Sequence, residues 1–276
     1  MARTSLRTLA GRSGRIAAGA GCAALALACA GRGAGPLDGR VEDLTHAFDA
    51  STVYWPGGEG FSLGVLHDGP TPGGYHYRAN RFCAAEHGGT HLDAPSHFAV
   101  EGWNLDAIPV ERLVGPGVVV DVAARCGEDS ECLVSVADLA GFEARRGRIP
   151  ESAIVLLRTG WGARWPDRAA YLGTAERGAS AAAKLRFPGL DPEAARWLAE
   201  ERRIDAVGID TASIDPGRST HFEAHRVLAA HNVPVFENVA SLERLPEAGF
   251  FVAALPMKIG GGSGGPLRIV ALVPDR

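Results

Sequence analysis

A 276-residue chain that is 46% hydrophobic can bury a full core, as one large domain or two small ones. Its 28 basic and 32 acidic residues give a formal net charge of -4, with no cationic surplus to hold a phosphate backbone, so nucleic acid is not an expected partner. The 36 glycines and 17 prolines suit a loop-rich α/β or β-rich enzyme rather than a disordered chain.

Residues 1–29 read as an export signal. Arg3, Arg7, Arg12 and Arg15 form a basic stretch with no acid before Asp38, and Ile16 to Ala28 is uncharged and too short to span a bilayer comfortably. Ala26-Leu27-Ala28-Cys29 fits two endings. One is an ordinary secretory cleavage near Ala28 or Ala30; the other resembles a lipobox, with Cys29 lipidated as the mature N-terminus. The expected location is the periplasm, or a membrane held only through a lipid on Cys29. Residues 30–40 are expected to be a tether and 41–276 the folded domain.

Along that domain, Val41 to Phe48 and Tyr75 to Phe82 mix aromatic and polar residues as half-buried strands do. Gly117 to Val122 and Ala153 to Arg158 are short apolar runs, the pattern of strands covered on both faces. Ser135 with Asp138 forms a capping box for a helix ending near Gly147. Ala163 to Phe187 has the least pattern and is expected as an excursion at the surface or an interface. Asp191-Pro192 starts another helix. Ile204 to Ile209 and Val233 to Phe236 read as strands flanking a helix over Phe222 to Ala230. Phe250 to Leu255 and Leu267 to Val273 close the chain as strands, and no repeat or composition break divides this α/β pattern. Among the cysteines, Cys126 and Cys132 bracket a short polar loop that a disulfide could close in an oxidising compartment. Cys83 is expected to be buried as a small hydrophobe.

The chemistry concentrates in Glu86-His87-Gly88-Gly89-Thr90-His91-Leu92-Asp93-Ala94-Pro95-Ser96-His97-Phe98. Three imidazoles and one carboxylate fall within eleven residues, spaced His-x3-His-x-Asp-x3-His. Neutral nitrogen and carboxylate oxygen are donors that Zn2+ and Mn2+ accept together. One histidine beside glycines would read as a surface turn; four donors in one window read as a metal site. His87, His91 and Asp93 give three ligands, enough for an ion with an open position. His225, on the helix before the strand that ends beside Glu237, is a further donor together with Glu237. His221 rivals it from the same helix face.

The stretch His87 to Phe98 resembles the signature of the cyclase-type metal-dependent hydrolases, which include bacterial kynurenine formamidases and isatin hydrolases. Arg158-Thr159-Gly160-Trp161, Gly208-Ile209-Asp210-Thr211, Ser213-Ile214-Asp215, His225, Glu237-Asn238 and Ala254-Leu255-Pro256-Met257-Lys258 extend the likeness over Val41 to Pro274. The resemblance implies a single-domain swivelling β/β/α fold and a homodimer or homotetramer. It implies one or two divalent ions: His87, His91 and Asp93 on the first, and Asp93, His225 and Glu237 on the second. It also implies that His97 carries the catalytic proton and that Trp55 contacts substrate. The long segment from Trp161 to Gly189 and the run Gly260 to Arg268 look more like the isatin-hydrolase branch.

These residues would suit hydrolysis of a C–N bond in a small aromatic amide or lactam. A divalent ion lowers the pKa of bound water toward about 7, giving hydroxide to attack the carbonyl. His97, with an ordinary imidazole pKa of about 6.5, would shuttle the proton to the departing nitrogen. Thr90 either orients the water near the substrate or holds the loop. Asp210 and Asp215 fit as partners for histidine N–H groups, and Asp215-Pro216-Gly217 equally reads as a turn. An ester or lactone substrate, or a non-catalytic metal- or ligand-binding role, are the alternatives.

Overall fold

Residues 39–275 are described by the computed structural model, so the expected export signal, Cys29 and the tether up to residue 38 lie outside them. Among the described residues there are twelve strands: β1 (Gly39–Asp43), β2 (Ser62–Pro70), β3 (His76–Cys83), β4 (His91–Asp93), β5 (Val114–Asp121), β6 (Leu133–Val134), β7 (Ile154–Arg158), β8 (Gly189–Leu190), β9 (Ala206–Ile209), β10 (Val235–Glu237), β11 (Ala248–Pro256) and β12 (Gly264–Pro274). The helices are α1 (Ala123–Cys126), α2 (Val136–Arg146), α3 (Arg168–Leu172), α4 (Pro192–Arg196) and α5 (Glu223–Ala230). None of the described helices is long and apolar enough to cross a membrane.

The main sheet runs β1-β12-β11-β5-β7-β9-β10-β4, and β4 returns to pair with β12. Seven strands therefore close into a mixed barrel, and β1 adds outside the ring on the far half of β12. Strands β5, β7, β9 and β10 are parallel, joined by helices that cover their outer face. This explains their unbroken apolar runs, because both faces are buried. In β7, Ile154 and Leu156 point into the barrel, while Val155 and Leu157 meet Leu139, Phe142 and Leu198 of the helical layer. The antiparallel half differs. Phe250, Val252 and Ala254 of β11 and Leu267, Ile269 and Ala271 of β12 fill the barrel, but Phe251 and Leu255 face outward and exposed.

The capping box at Ser135 and Asp138 forms and starts α2, and Gly147 ends it at φ 87°. Asp191 accepts the Glu193 amide ahead of Pro192, as expected for the start of α4. That helix then widens into a π-turn over Trp197–Arg202. Cys126 and Cys132 are disulfide-bonded.

Three expectations need correction. The first strand begins at Gly39 and ends at Asp43, because the Asp43 side chain accepts the Thr45 amide and turns the chain. The expected strand from Tyr75 is one arm of a β2–β3 ribbon, exposed on both faces rather than half-buried. Cys83 ends that ribbon and is exposed. The Ala163 to Phe187 segment runs largely at the surface, as expected, and is anchored there. It folds α3 and supplies Tyr171, Leu172, Leu185 and Phe187 to a core with Val53 and Trp161.

Candidate active site

The barrel closes where β4 meets β10 on one edge and β12 on the other, in register Glu237 with His91 and Gly264 with Asp93. Residues two apart on a strand share a face, so His91 and Asp93 point together while Leu92 enters the core. Glu237 stands opposite them across the strand pair. His225 arrives from α5, whose first turn is held by Asp215: its carboxylate accepts the Ala224 and His225 amides. His87 comes from the turn before β4. That turn needs Gly89 at φ 60°, and a Cβ on Gly88 would strike the Tyr54 ring.

Hydrogen-bond accounting gives each imidazole a definite orientation. His91 Nδ1 lies 3.0 Å from the Gly89 carbonyl, which only accepts, so Nδ1 carries the proton. Its Nε2 then faces Asp93 Oδ1 at 3.1 Å and Glu237 Oε2 at 3.4 Å. His225 Nδ1 donates to Asp215 Oδ2 at 2.6 Å, and its Nε2 faces Asp93 Oδ2 at 3.0 Å and Glu237 Oε1 at 3.1 Å. His87 Nδ1 sits 2.6 Å from Asp93 Oδ1, with Nε2 on Ser263 Oγ at 3.0 Å. Asp93 is thus ringed by three imidazoles.

Lone pairs would face lone pairs at this centre unless a cation lies between them. Protons are one solution. Burial acts to lower the His91 pKa, but Asp93 and Glu237 outweigh it and lift it to about 9. The same contest, with Asp215 added, raises His225 well above its ordinary value. Burial would raise Asp93, yet the surrounding imidazoles hold it well below the carboxylate range. A divalent ion meets the same electrostatic need with the donor types that Zn2+ and Mn2+ accept. His91, Asp93 and Glu237 offer atoms all within 4.8 Å of one another, as do His87, Asp93 and His97. The first of these sets is fully buried, and its donors fit a divalent ion.

His97 differs from the other three. It sits at the end of a 3-10 turn opened by Pro95, solvent-exposed, and stacks on His87 with ring centroids 3.9 Å apart. Among the described residues neither of its ring nitrogens has a hydrogen-bond partner. Partial removal from water lowers its pKa to about 4, against the pull of Asp93. Trp55 lines the cavity above the cluster.

Thr90 is not among the described lining residues of that cavity, and of its two expected roles it takes the one of holding the loop rather than a place against water or substrate. Its hydroxyl donates to the Asn238 carbonyl at 2.8 Å and accepts the His46 amide at 2.9 Å, and it is fully buried. Thr90 therefore ties the loop down. His221 is exposed and outside the cavity, leaving His225 as the helix donor. Asp215 partners a histidine, whereas Asp210 instead gathers the Thr159 hydroxyl and the Thr159 and Gly160 amides.

The cavity has a volume of about 440 Å³, within the roughly 300–1,000 Å³ usual for small-molecule sites. Tyr54, Trp55, Phe98 and Phe222 form aromatic walls, and no lysine or arginine is among the described lining residues. Sequence reading missed Phe98 and Phe222 as walls. Phe98 packs 4.4 Å from the His225 ring and 5.4 Å from Phe222. Phe222 follows no pattern that marks it, though it holds φ 48°, a left-handed conformation that a bulky side chain seldom adopts.

Comparison with known proteins agrees with this geometry. The profile of the family described as "Putative cyclase" matches residues 42–216. Isatin hydrolase of Roseibium aggregatum is 32% identical over 204 residues, covering 71% of this chain and 74% of that protein. Kynurenine formamidase of Erythrobacter litoralis is 26% identical over 239 residues, covering 86% and 95%. The structure of isatin hydrolase A from Labrenzia aggregata bound to benzyl benzoate superposes with a TM-score of 0.77 at 34% identity, covering 86% of this chain and 94% of that one. With its closed mixed barrel and its His/Asp/Glu cluster, this chain belongs to the putative cyclase family of metal-dependent hydrolases.

Proposed function

We propose that the protein hydrolyses the C–N bond of a small, neutral aromatic amide or lactam of the isatin kind. The observation that carries this is the position of the cluster: a buried carboxylate ringed by imidazoles, opening into an aromatic cavity whose described lining holds no lysine or arginine. An amino-acid head group would bring a carboxylate with no lysine or arginine among the described lining residues to pair with it, so N-formylkynurenine fits less well than a neutral ring. His87, His91 and Asp93 are assigned to one ion, and His225 and Glu237 complete a second position that shares Asp93. Zn2+ or Mn2+ matches the donors.

When bound, a divalent ion supplies Lewis acidity that polarises a carbonyl and makes water nucleophilic near neutral pH. The chain's own residues supply orientation and proton transfer. Trp55, Phe98 and Phe222 hold the substrate ring by its faces. His97 is assigned the proton because a liganding histidine normally has its outer N–H engaged, as His87, His91 and His225 do and His97 does not. Neutral at pH 7, its ring first takes a proton from the attacking water. It then delivers that proton to the nitrogen as the C–N bond breaks, since an unprotonated amide nitrogen leaves poorly.

We also propose export, supported by the disulfide between Cys126 and Cys132, a bond that persists in oxidising compartments. The test of function is a substrate panel with Zn2+- or Mn2+-loaded protein: isatin, simple N-acyl anilines, N-formylkynurenine and aryl esters. Ring opening of isatin is expected, with N-formylkynurenine slower. Preference for N-formylkynurenine would overturn the neutral-substrate reading, and no turnover of any amide would overturn the amidohydrolase.

A further inference from the structure

We propose that Ser263 and Glu86 form a relay that holds His87 in one tautomer, with its proton on Nε2 and its Nδ1 lone pair turned to the ion position; this rests on the metal-site reading above. Ser263 Oγ lies 2.7 Å from Glu86 Oε2 and 3.0 Å from His87 Nε2. A carboxylate oxygen only accepts, so the single serine proton goes to Glu86. With that proton spent, the serine oxygen can only accept from His87, which places the imidazole proton on Nε2. The remaining nitrogen, Nδ1, points at Asp93 Oδ1, 2.6 Å away. The direction of the hydrogen-bond chain is thus set at its far end by Glu86.

The backbone around Ser263 is built to deliver this hydroxyl. Ser263 immediately precedes β12, where Gly264 pairs with Asp93, and its carbonyl accepts the Ala94 amide at 2.9 Å. Its own amide donates to Glu86 Oε2 at 3.1 Å. The glycines on either side admit the two partners. A Cβ on Gly262 would lie 2.9 Å from Glu86 Oε1, and one on Gly264 would lie 2.5 Å from His87 Cε1. The turn is tethered in addition by the Leu105 amide on Gly262 O and the Gly261 amide on Asp106. The glycine-rich run thereby lets the strand that closes the barrel come close to a ligand ring.

Ser263 and Glu86 are positioning residues, acting through His87. The experiment measures Zn2+ affinity by competition with a chromogenic chelator for wild type, Ser263→Ala, Ser263→Thr and Glu86→Ala, with melting of each metal-free protein alongside. Loss of an outer partner of a liganding histidine typically weakens metal binding about 10–100-fold. Ser263→Ala and Glu86→Ala should show that loss with metal-free Tm unchanged, and Ser263→Thr should restore affinity because it restores the hydroxyl. Equal affinity in wild type and Ser263→Ala would overturn the relay alone. Wild-type protein that takes up no Zn2+ would overturn the metal reading, and the relay with it. Should Ser263→Ala fold poorly, 15N-histidine NMR of Zn2+-loaded wild type decides: His87 protonated at Nε2 supports the relay, and protonation at Nδ1 refutes it.

Discussion

At the scale of single residues, neighbouring histidines in one short motif carry different burdens because their outer nitrogens meet different partners. His91 gives its outer proton to a backbone carbonyl and is buried, while His97 stands exposed with both nitrogens unpartnered among the described residues. His97→Ala should therefore leave metal content unchanged, because His87, His91 and Asp93 remain. Turnover should fall roughly 10²–10⁴-fold, the usual contribution of a positioned acid or base. Aryl esters with good leaving groups should suffer less, since they depart without protonation. Metal analysis and steady-state rates on the same preparation check this, and loss of metal with activity would make His97 a ligand.

Among elements, α2 and the π-turn after α4 are joined by one ion pair that also has a pH signature. Glu143 accepts from Arg202 Nε at 2.7 Å and Nη2 at 2.9 Å, and it accepts the Ile149 amide as well. The Arg202 guanidinium lies over Trp197, 3.6 Å from the ring centroid, which keeps the fork in place. Hydrogen bonding to Arg202 holds the Glu143 carboxyl below its ordinary 4.5. A carboxyl lowered on folding stabilises fully above its unfolded pKa and loses that effect as pH falls through the folded value. Glu143→Gln should thus lower Tm at pH 7 by roughly 2–4 °C, for a partly buried pair worth about 1 kcal/mol. The gap should close as the pH is taken below the folded pKa. Thermal melts of both proteins from pH 3 to 8 check the sign; a gap that widens in acid would refute it.

For the whole molecule, the uncovered surfaces matter most. The outer face of the antiparallel half shows Val41 at 60%, Phe251 at 50% and Leu255 at 49% exposure. The β2–β3 ribbon stands exposed on both faces, an arrangement that is marginal for two strands alone. Apolar patches of this kind mark interaction surfaces. A homodimer or homotetramer in solution is the expected outcome, measured by light scattering after size exclusion, and Phe251→Glu should reduce the mass. A wild-type monomer at micromolar concentration would refute self-association.

How much was legible beforehand follows from the range of each signal. His87, His91, Asp93 and His97 lie within one window, so their spacing alone announced a metal site, and the cap at Ser135 was readable because it is made by neighbours three residues apart. The parallel strands were readable because covering both faces leaves an unbroken apolar run. Pairing across the barrel has no such local trace. Period and composition tell which face of a strand is buried but not which edge it joins. Only the closed ring put Glu237 opposite His91 and brought Ser263 to His87, 176 residues away in sequence. Residue type and the helix-to-strand order offered His225 and Glu237 as further donors with His221 as a rival, and the family resemblance chose between them. The aromatic walls, the Thr90 tether and the buried anchors of the Ala163 to Phe187 segment were likewise settled by tertiary structure, because each depends on contacts between segments far apart in the chain.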